Sequence, residues 1–370
     1  MGAEDDRRFM RRAIALAEGG WGRVHPNPLV GAVLVKDGVV VGEGYHTAFG
    51  APHAEIEALR AAGDDARGAT AYVSLEPCGH HGKTPPCADA LAQAGVARVV
   101  YAAEDPTPAR GGADRLRARG VAVEGGMERV AARRQNAPFF HVAEHGRCWV
   151  ALKYGLSLDA RIARREGERT AVTGPEALAD AYRLRAGFDA LLVGSRTARI
   201  DDPLLTARGE VEPIRPPIRV VVDSHARLAP AARLLQTIDA APVVVLAGEH
   251  ASPERRRVLE GAGAEVLQVP GATNGVDLRS ALDVLWDRGV RTVLCEGGAR
   301  LGTALLRAGV VQRMVLYYAP VLFGEAGVPA FPGAAEGPVG RIIEVRSLGR
   351  DVRIVVELSQ DVPGDEAGPM

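Results

Sequence analysis

The chain carries one imidazole, two thiols and a carboxylate in an arrangement that zinc chemistry uses, so a fold for it must bring these groups together. They belong to His53, Glu55, Cys78 and Cys87. A catalytic zinc site takes three N or S ligands from the protein and keeps a fourth position open for water. A zinc deaminase adds a glutamate that moves protons without binding the metal. Since zinc lowers the pKa of its bound water to near neutrality, the set predicts hydrolytic removal of an exocyclic ring amine. Zinc would lie on the histidine and the two cysteines, and Glu55 would be the catalytic proton shuttle.

The predicted secondary structure allows these residues to converge. A strand is predicted from Gly68 to Leu75, and a helix from His53 to Gly63. Positions two apart on a regular helix point to nearly opposite sides, so His53 must lie at the very start of its helix. A second helix is predicted to open at Cys87, where the helix dipole favours the thiolate that binds zinc.

A structural role for the same residues is the alternative. Eight residues separate Cys78 from Cys87, whereas the general deaminase pattern has two. A closed structural zinc site would need a fourth strong ligand from His80 or His81. Free core cysteines beside a surface histidine are the other alternative. The sequence favours the catalytic interpretation, because a closed site lacks its fourth strong ligand unless one of those two histidines supplies it.

Composition excludes several classes of function. The net charge is −1 and aromatic residues make up 5% of the chain, which argues against a nucleic-acid-binding protein. No apolar run approaches the length of a membrane span. The acidic N-terminus lacks the apolar stretch of a signal peptide, so we expect a cytoplasmic protein. Two of the four cysteines belong to the motif, and no disulfide framework is implied.

Strands alternate with helices along the 370 residues, which predicts an α/β fold with two domains. The first series begins with an amphipathic helix and a hairpin, and it predicts a three-layer domain. The pattern lapses between Asn136 and Gly146, so we place the domains at 1–146 and 147–360. The remaining residues, 361–370, are predicted to be a disordered tail.

Two predicted loops of the second domain are candidates for ligand binding. Glu296-Gly297-Gly298 follows a strand and precedes a helix predicted over 303–307, so its backbone N–H groups could approach a phosphate. A tight turn between strand and helix explains the same glycines equally well. Polar residues at 194–197 and 201–203 form a second predicted loop at a strand end, where ligands of open α/β sheets collect.

Together these motifs resemble the bifunctional riboflavin-biosynthesis deaminase–reductase family over nearly the whole chain. The motifs that carry the resemblance in the first half are His25-Pro26-Asn27-Pro28, Gly42-Glu43-Gly44-Tyr45-His46, His53-Ala54-Glu55 and the run Glu76 to Cys87. Those in the second half are Leu152-Lys153, Ser157-Leu158-Asp159, Leu184-Arg185-Ala186, Asp201 to Thr206 and Glu296-Gly297-Gly298. The long segment between the two cysteines is characteristic of that family.

The resemblance implies a cytidine-deaminase-like first domain and a dihydrofolate-reductase-like second domain. The implied reactions are zinc-dependent deamination of 2,5-diamino-6-ribosylamino-4(3H)-pyrimidinone 5′-phosphate and NADPH reduction of the ribosyl group to ribityl. A small-molecule substrate and a homodimer or larger homo-oligomer are implied as well. The product could equally be riboflavin or a specialised pyrimidine-derived metabolite.

The resemblance also assigns residues to the two sites. In the deaminase half, the residues implied to hold the pyrimidine or its phosphate are Asn27, His46 and Lys83. In the reductase half, the residues implied to hold substrate are Lys153, Arg169, Arg185, Leu205, Arg208 and Glu296. Two of these, Arg185 and Arg208, could form bidentate pairs with a phosphate. The implied NADPH-binding residues are Gly155, Ala171, Thr197, Asp201, Ser224, Gly298, Ala299, Arg300, Leu301, Gly302, Thr303 and Ala304.

The second half departs from the family pattern at three positions. Ala160 stands where the family has glycine, Arg169 where it has serine, and Ala171 where it has the tryptophan of the cofactor wall. The segment after Asp105 also looks shortened. A deaminase with a degenerate or altered reductase domain is therefore the nearest alternative function, and a non-catalytic zinc-binding module is a more distant one.

Overall fold

The structure of the chain is a computed structural model that describes residues 2–80, 85–272, 275–333 and 339–358. The chain divides into two compact units, Met1–Gly146 and Arg147–Met370. Three positions raised above lie outside the described residues: His81, the predicted substrate residue Lys83 and the predicted disordered tail 361–370. Among the helices that the described ranges contain, none is both long enough and apolar enough to cross a bilayer.

The first unit is built on one five-stranded sheet. Its strands are β1 (Gly31–Lys36), β2 (Val39–Tyr45), β3 (Thr70–Leu75), β4 (Arg98–Ala103) and β5 (Ala122–Gly125). Its helices are α1 (Ala3–Ala17), α2 (Ala54–Ala62), α3 (Cys87–Gln93), α4 (Gly112–Arg117), α5 (Arg129–Gln135) and α6 (Ala137–His145), with 3₁₀ turns at Glu18–Gly20 and Gly63–Ala66. The strand order is β2-β1-β3-β4-β5. The first three strands are antiparallel, and β3, β4 and β5 run parallel.

Helices cover both faces of this sheet, which confirms the predicted three-layer arrangement. Ala32 and Leu34 of β1 pack into a core with residues of α2 and α3. The alternate residues, Val33 and Val35, pack into a second core with residues of α1. This alternation follows from the pleat of a strand, which sends successive side chains to opposite faces.

The second unit is built on a nine-stranded mixed sheet, as expected for the α/β class. Its strands are β6 (Trp149–Ser157), β7 (Arg161–Ala163), β8 (Ala190–Gly194), β9 (Ile218–Val222), β10 (Val243–Gly248), β11 (Glu265–Val269), β12 (Gly271–Ala272), β13 (Gly275–Val276), β14 (Thr292–Cys295), β15 (Arg313–Ala319), β16 (Val328–Pro329), β17 (Gly340–Leu348) and β18 (Asp351–Leu358). Its helices are α7 (Pro175–Arg185), α8 (Ser195–Asp201), α9 (Arg233–Gln236), α10 (Pro253–Gly261), α11 (Leu278–Asp287) and α12 (Ala299–Arg307), with a 3₁₀ turn at Ile238–Ala240. The order in the main sheet is β11-β10-β9-β8-β14-β6-β15-β18-β17. Within the described part of this sheet, β18 alone runs opposite to the other strands and pairs antiparallel with both β15 and β17.

Two sequence expectations about elements are wrong, and two other stretches contain elements that were not predicted. Residues 136–146, where the pattern lapses, contain helix α6, and the predicted loop at 194–203 contains helix α8. Helix α12 begins at Ala299, four residues before its predicted start. The strands β17 and β18 were not predicted, because a bulge between Ile342 and Glu344 breaks the two-residue alternation of β17.

Candidate active sites

The predicted zinc ligands meet at one point in the first unit. The imidazole of His53 and the thiols of Cys78 and Cys87 offer donor atoms that all lie within 4.8 Å of one another. Nδ1 of His53 is 3.7 Å from the sulfur of Cys78 and 3.3 Å from the sulfur of Cys87. His53 is the N-cap residue of α2, with an extended backbone, and Cys87 is the first residue of α3. Both positions agree with the sequence prediction.

The hydrogen bonds between the two cysteines favour a negative charge on sulfur, which suits a bound cation. The Cys78 sulfur accepts hydrogen bonds from Cys87, including one of 3.3 Å from its backbone N–H, and from His53. These bonds lower the pKa of Cys78, while the hydrogen bond to Cys78 and burial raise the pKa of Cys87, so the pair shares one proton readily before a metal binds. Thiolate is the form that ligates zinc, so the residues present fit a zinc ion. Among the described residues His80 does not join this cluster, and the expected open position is compatible with the three donors.

Glu55 lies beside the cluster without belonging to it. Its side chain is buried, with 3% of the residue exposed, on the first turn of α2. Burial raises the pKa of Glu55 to about 7, against the opposing effect of His53. A carboxyl group with a pKa near neutrality can both accept and donate a proton there.

Asn27 and His46 form a pair next to the zinc ligands. The ring of His46 lies edge-on to that of His53, with centroids 5.6 Å apart. Its Nδ1 is 3.0 Å from the carbonyl of Pro52, which can only accept, so Nδ1 carries the proton. Burial lowers the pKa of His46 and favours this neutral form. Nε2 must then accept the 3.1 Å hydrogen bond from the amide nitrogen of Asn27, which fixes the orientation of the Asn27 amide.

The second unit contains a cleft of about 890 Å³ at the ends of its central strands. Many predicted reductase residues line it: Lys153, Gly155, Arg169, Ala171, Thr197, Asp201, Ser224, Glu296, Gly298, Ala299, Arg300, Leu301 and Ala304. Gly298 is the N-cap of α12, and its N–H donates to the hydroxyl of Thr197 over 2.8 Å. The first turn of α12 therefore opens onto the cleft.

A buried ion cluster lies on one wall of the cleft. Glu296 accepts from Nε and Nη2 of Arg185 over 2.6 and 2.8 Å, and from Nζ of Lys153 over 3.4 Å. Burial opposes ionisation of Glu296, but the two cations outweigh it and lower its pKa to about 2. Glu296 is therefore a fixed anion that orients Lys153 in the cleft.

Comparisons with known proteins agree with both domains. Residues 3–103 match the model of the cytidine and deoxycytidylate deaminase zinc-binding region, and residues 148–354 match that of the RibD C-terminal domain. The riboflavin biosynthesis protein RibD of Escherichia coli is 40% identical over 94% of this chain and 98% of its own. The chain belongs to the RibD family.

Two solved structures extend the comparison to the fold. RibD of Acinetobacter baumannii has a TM-score of 0.82 at 35% identity, over 96% of this chain and 99% of its own. The diaminohydroxyphosphoribosylaminopyrimidine deaminase/5-amino-6-(5-phosphoribosylamino)uracil reductase of Thermotoga maritima has a TM-score of 0.81 at 32% identity, over the same shares. As a RibD family member, this chain is a bifunctional enzyme with a deaminase domain followed by a reductase domain. The family assignment contradicts the non-catalytic alternative.

Within the RibD reductase domain, Arg185 pairs with another residue of the chain, and its expected contact with a substrate phosphate stays a prediction. Nε and Nη2 of Arg185 bind Glu296, and its Nη1 donates to the carbonyl of Thr206 over 3.0 Å. The guanidinium fork therefore holds Glu296 in place. Arg208 is exposed outside the cleft lining, with its guanidinium 4.9 Å from the ring centroid of Tyr182. Leu205 is buried with a positive φ of 47° and does not line the cleft either.

Two predicted cofactor residues of the reductase domain face away from the cleft. Gly302 and Thr303 lie on the buried side of α12. A Cβ atom on Gly302 would come within 1.9 Å of the Tyr154 hydroxyl, so this glycine serves the packing of α12 on β6. Neither residue belongs to the cleft lining, and their part in cofactor binding stays a prediction.

Sequence reasoning missed two residues of the RibD sites. Tyr182 lines the reductase cleft. The guanidinium groups of Arg185 and Arg208 lie 5.1 and 4.9 Å from the centroid of its ring. Glu76 lies two residues before Cys78 and accepts backbone hydrogen bonds. Glu76 belongs to the motif that ends at Cys87, but no role was predicted for it. Its place at the end of a predicted strand, just before a cysteine ligand, was the signal that the sequence offered.

Proposed function

We propose that the deaminase domain is zinc-dependent and removes an amine by hydrolysis from 2,5-diamino-6-ribosylamino-4(3H)-pyrimidinone 5′-phosphate. The observation that carries the proposal is the convergence of His53, Cys78 and Cys87 within 4.8 Å beside a buried Glu55. The activity for which the similar Thermotoga maritima protein is named supports the choice of substrate.

In this mechanism each residue has a separate task. His53 and the two cysteines would hold zinc, which supplies a Lewis acid that activates water at neutral pH. Glu55 takes a proton from the attacking water and delivers it to the departing amine, as its pKa of about 7 permits. Asn27, oriented by His46, offers its carbonyl oxygen to an N–H group of the pyrimidine.

We propose that the reductase domain transfers hydride from NADPH to the ribosyl group of the deaminated product, with a proton from the site, and so forms ribityl. The cleft of about 890 Å³ supports this, because it is large enough for a cofactor and opens at the first turn of α12. Backbone N–H groups at a helix N-terminus favour phosphate groups. Lys153 and Glu296 would contact the substrate on the opposite wall.

A deaminase with an altered reductase domain is the second candidate. Ala171 is exposed on the cleft wall and supplies none of the aromatic surface that the family tryptophan would offer. Arg169 lies near enough to Asp201 to oppose the rise in the Asp201 pKa caused by burial, which places an unusual charge in the cleft. These two residues make weak or altered cofactor binding the specific way in which the reductase could differ.

Product analysis with the purified chain tests both candidates. The diamino pyrimidine phosphate alone should release ammonia, and addition of NADPH should then yield the ribityl product with matching NADPH oxidation. Ammonia release without NADPH oxidation would favour the altered reductase. An absence of ammonia release from zinc-loaded chain would contradict the proposed deaminase reaction.

We also propose a homodimer or larger assembly in the cytoplasm. The family resemblance supports the assembly. Sedimentation of the purified chain would give its mass, and a monomer at micromolar concentration would contradict the first of these.

A further inference from the structure

Both zinc-ligating cysteines are tied to the same short helix, α4. We propose that Glu76 and Asp89 are positioning residues, which use α4 as a brace to hold Cys78 and Cys87 at ligating distance. The proposal rests on the zinc-dependent deaminase proposed above. It assigns a role to the segment after Asp105, which looked merely shortened in the sequence.

Glu76 makes the connection on the Cys78 side. Its residue is 9% exposed, and its carboxylate accepts from the backbone N–H groups of Asp105, Gly111 and Ala113 over 3.4, 3.1 and 3.2 Å. Two of these groups belong to the start of α4. A buried carboxylate requires such partners, because burying it without hydrogen bonds costs roughly several kcal/mol. Glu76 therefore fixes the start of α4 to the chain two residues before Cys78.

The backbone around Cys78 also packs directly on the start of α4. A Cβ atom on Gly112 would come within 1.8 Å of the carbonyl oxygen of Pro77, so only glycine permits this approach. The N–H of Gly79 donates to the carbonyl of Ala109 over 2.9 Å. Cys78 is thus bracketed on both sides by contacts to the loop that leads into α4.

Asp89 makes the connection on the Cys87 side. It lies two residues after Cys87 on α3, with 9% of its side chain exposed. Arg115 of α4 binds it through two guanidinium nitrogens, one of them 2.7 Å from Oδ2, and Arg119 reaches Oδ1 at 3.0 Å. Bidentate arginine–carboxylate pairs fix direction as well as distance. The pair therefore fixes α3 relative to α4.

The chemistry of the site explains why such a brace is needed. Two thiolates a few ångströms apart repel one another, so the chain must hold them together for zinc to bind tightly. Neither Glu76 nor Asp89 is among the donor atoms of the cluster. Loss of a group that orients metal ligands typically lowers metal affinity about 10- to 100-fold. We expect that effect from breaking either connection.

The test measures zinc affinity of the full chain by competition with a chelator, together with the melting temperature. The variants are Glu76→Gln and Arg115→Met; the second changes a side chain that is 35% exposed and so leaves the core intact. The matched control is Asp6→Asn, another buried carboxylate paired with an arginine (Arg98, 2.8 Å), on α1 in the opposite helix layer. We expect both brace variants to lose about 10- to 100-fold in zinc affinity. The control substitution should lower the melting temperature. It should keep zinc affinity within about 3-fold of the original chain, because Asp6 does not orient any of the zinc ligands.

The double variant Glu76→Gln/Arg115→Met tests whether the two connections act together through α4 or affect zinc affinity independently. If both connections act through α4, the double variant should lose little more zinc affinity than the worse single variant. Zinc affinity unchanged in Arg115→Met, or reduced equally in Asp6→Asn, would overturn the proposal. If the unsubstituted chain binds no zinc, the proposed deaminase function fails instead, so the two failures are distinguishable.

Discussion

Replacing Ala160 with glycine should raise the free energy of unfolding of the reductase domain. Ala160 has a φ of 54°, in the left-handed region that favours glycine. This conformation costs an L-residue about 1–2 kcal/mol, and the extra freedom of glycine in the unfolded chain offsets about 0.5–1 kcal/mol of that. The net stabilisation should be about 0.5–1 kcal/mol, a rise in melting temperature of about 1–4 °C for a domain of this size.

The structure explains why the substitution should leave the turn itself unchanged. The N–H of Ala160 donates to the carbonyl of Ser157 over 3.0 Å, and its carbonyl accepts from Ala330 over 3.1 Å. Both are backbone bonds that glycine retains. We therefore expect NADPH oxidation by Ala160→Gly to stay within about two-fold of the original chain, because a merely strained turn changes stability and not the site.

Thermal unfolding of the full chain, followed by tryptophan fluorescence, measures the effect. Two of the three tryptophans, Trp149 and Trp286, report on the second unit. The matched control is Ala308→Gly in the same unit, where φ is −70° and glycine should lower the melting temperature. The reasoning is refuted if Ala160→Gly shifts the melting temperature down, or if the two substitutions shift it alike.

Three further predictions concern the sites. Glu55→Gln keeps the size of the side chain and leaves the zinc ligands alone, so zinc should stay bound while ammonia release falls by at least ~10²–10⁴-fold; activity within a few-fold of the original would show that Glu55 is not the shuttle. The original chain should carry about one zinc per chain, and Cys87→Ser should lose both this zinc, measured by metal analysis, and deamination. Retention of the full metal content would show that Cys87 is not a zinc ligand. Ala171→Trp should restore apolar contact worth about 1.5–3 kcal/mol, and so tighten NADPH binding ~10- to 100-fold in calorimetry. Unchanged or weaker NADPH binding would show that position 171 is not part of the cofactor wall.

Much of the deaminase site could be predicted because its determinants are local. A helix can begin at His53 and close at Gly63, and Cys87 follows two prolines, so sequence position alone places each group at a helix start. The convergence of the ligands then follows from the requirement that one metal takes all three. The pairing of Asn27 with His46 was not predicted, because it depends on how the hairpin lies against α2.

The reductase domain shows where such reasoning stops. The strand positions follow from apolar runs, but the start of α12 was misplaced, since a glycine inside a helix reads as a loop until its contact with Tyr154 is known. The partner of Arg185 within the chain was not predicted either, because an arginine can bind a phosphate or a carboxylate equally well.

The sequence by itself determined the α/β class, the cluster of His53, Cys78 and Cys87 with Glu55 beside it, and most strands. Periodicity and helix-start signals carry this information, and both act within a few residues. Only the tertiary structure decided that Arg185 binds Glu296, 111 residues away, and that α4 connects Glu76 to Asp89. A charged side chain can pair with many different groups. Which group it binds depends on which one the packed core brings within about 3 Å, the length of a hydrogen bond.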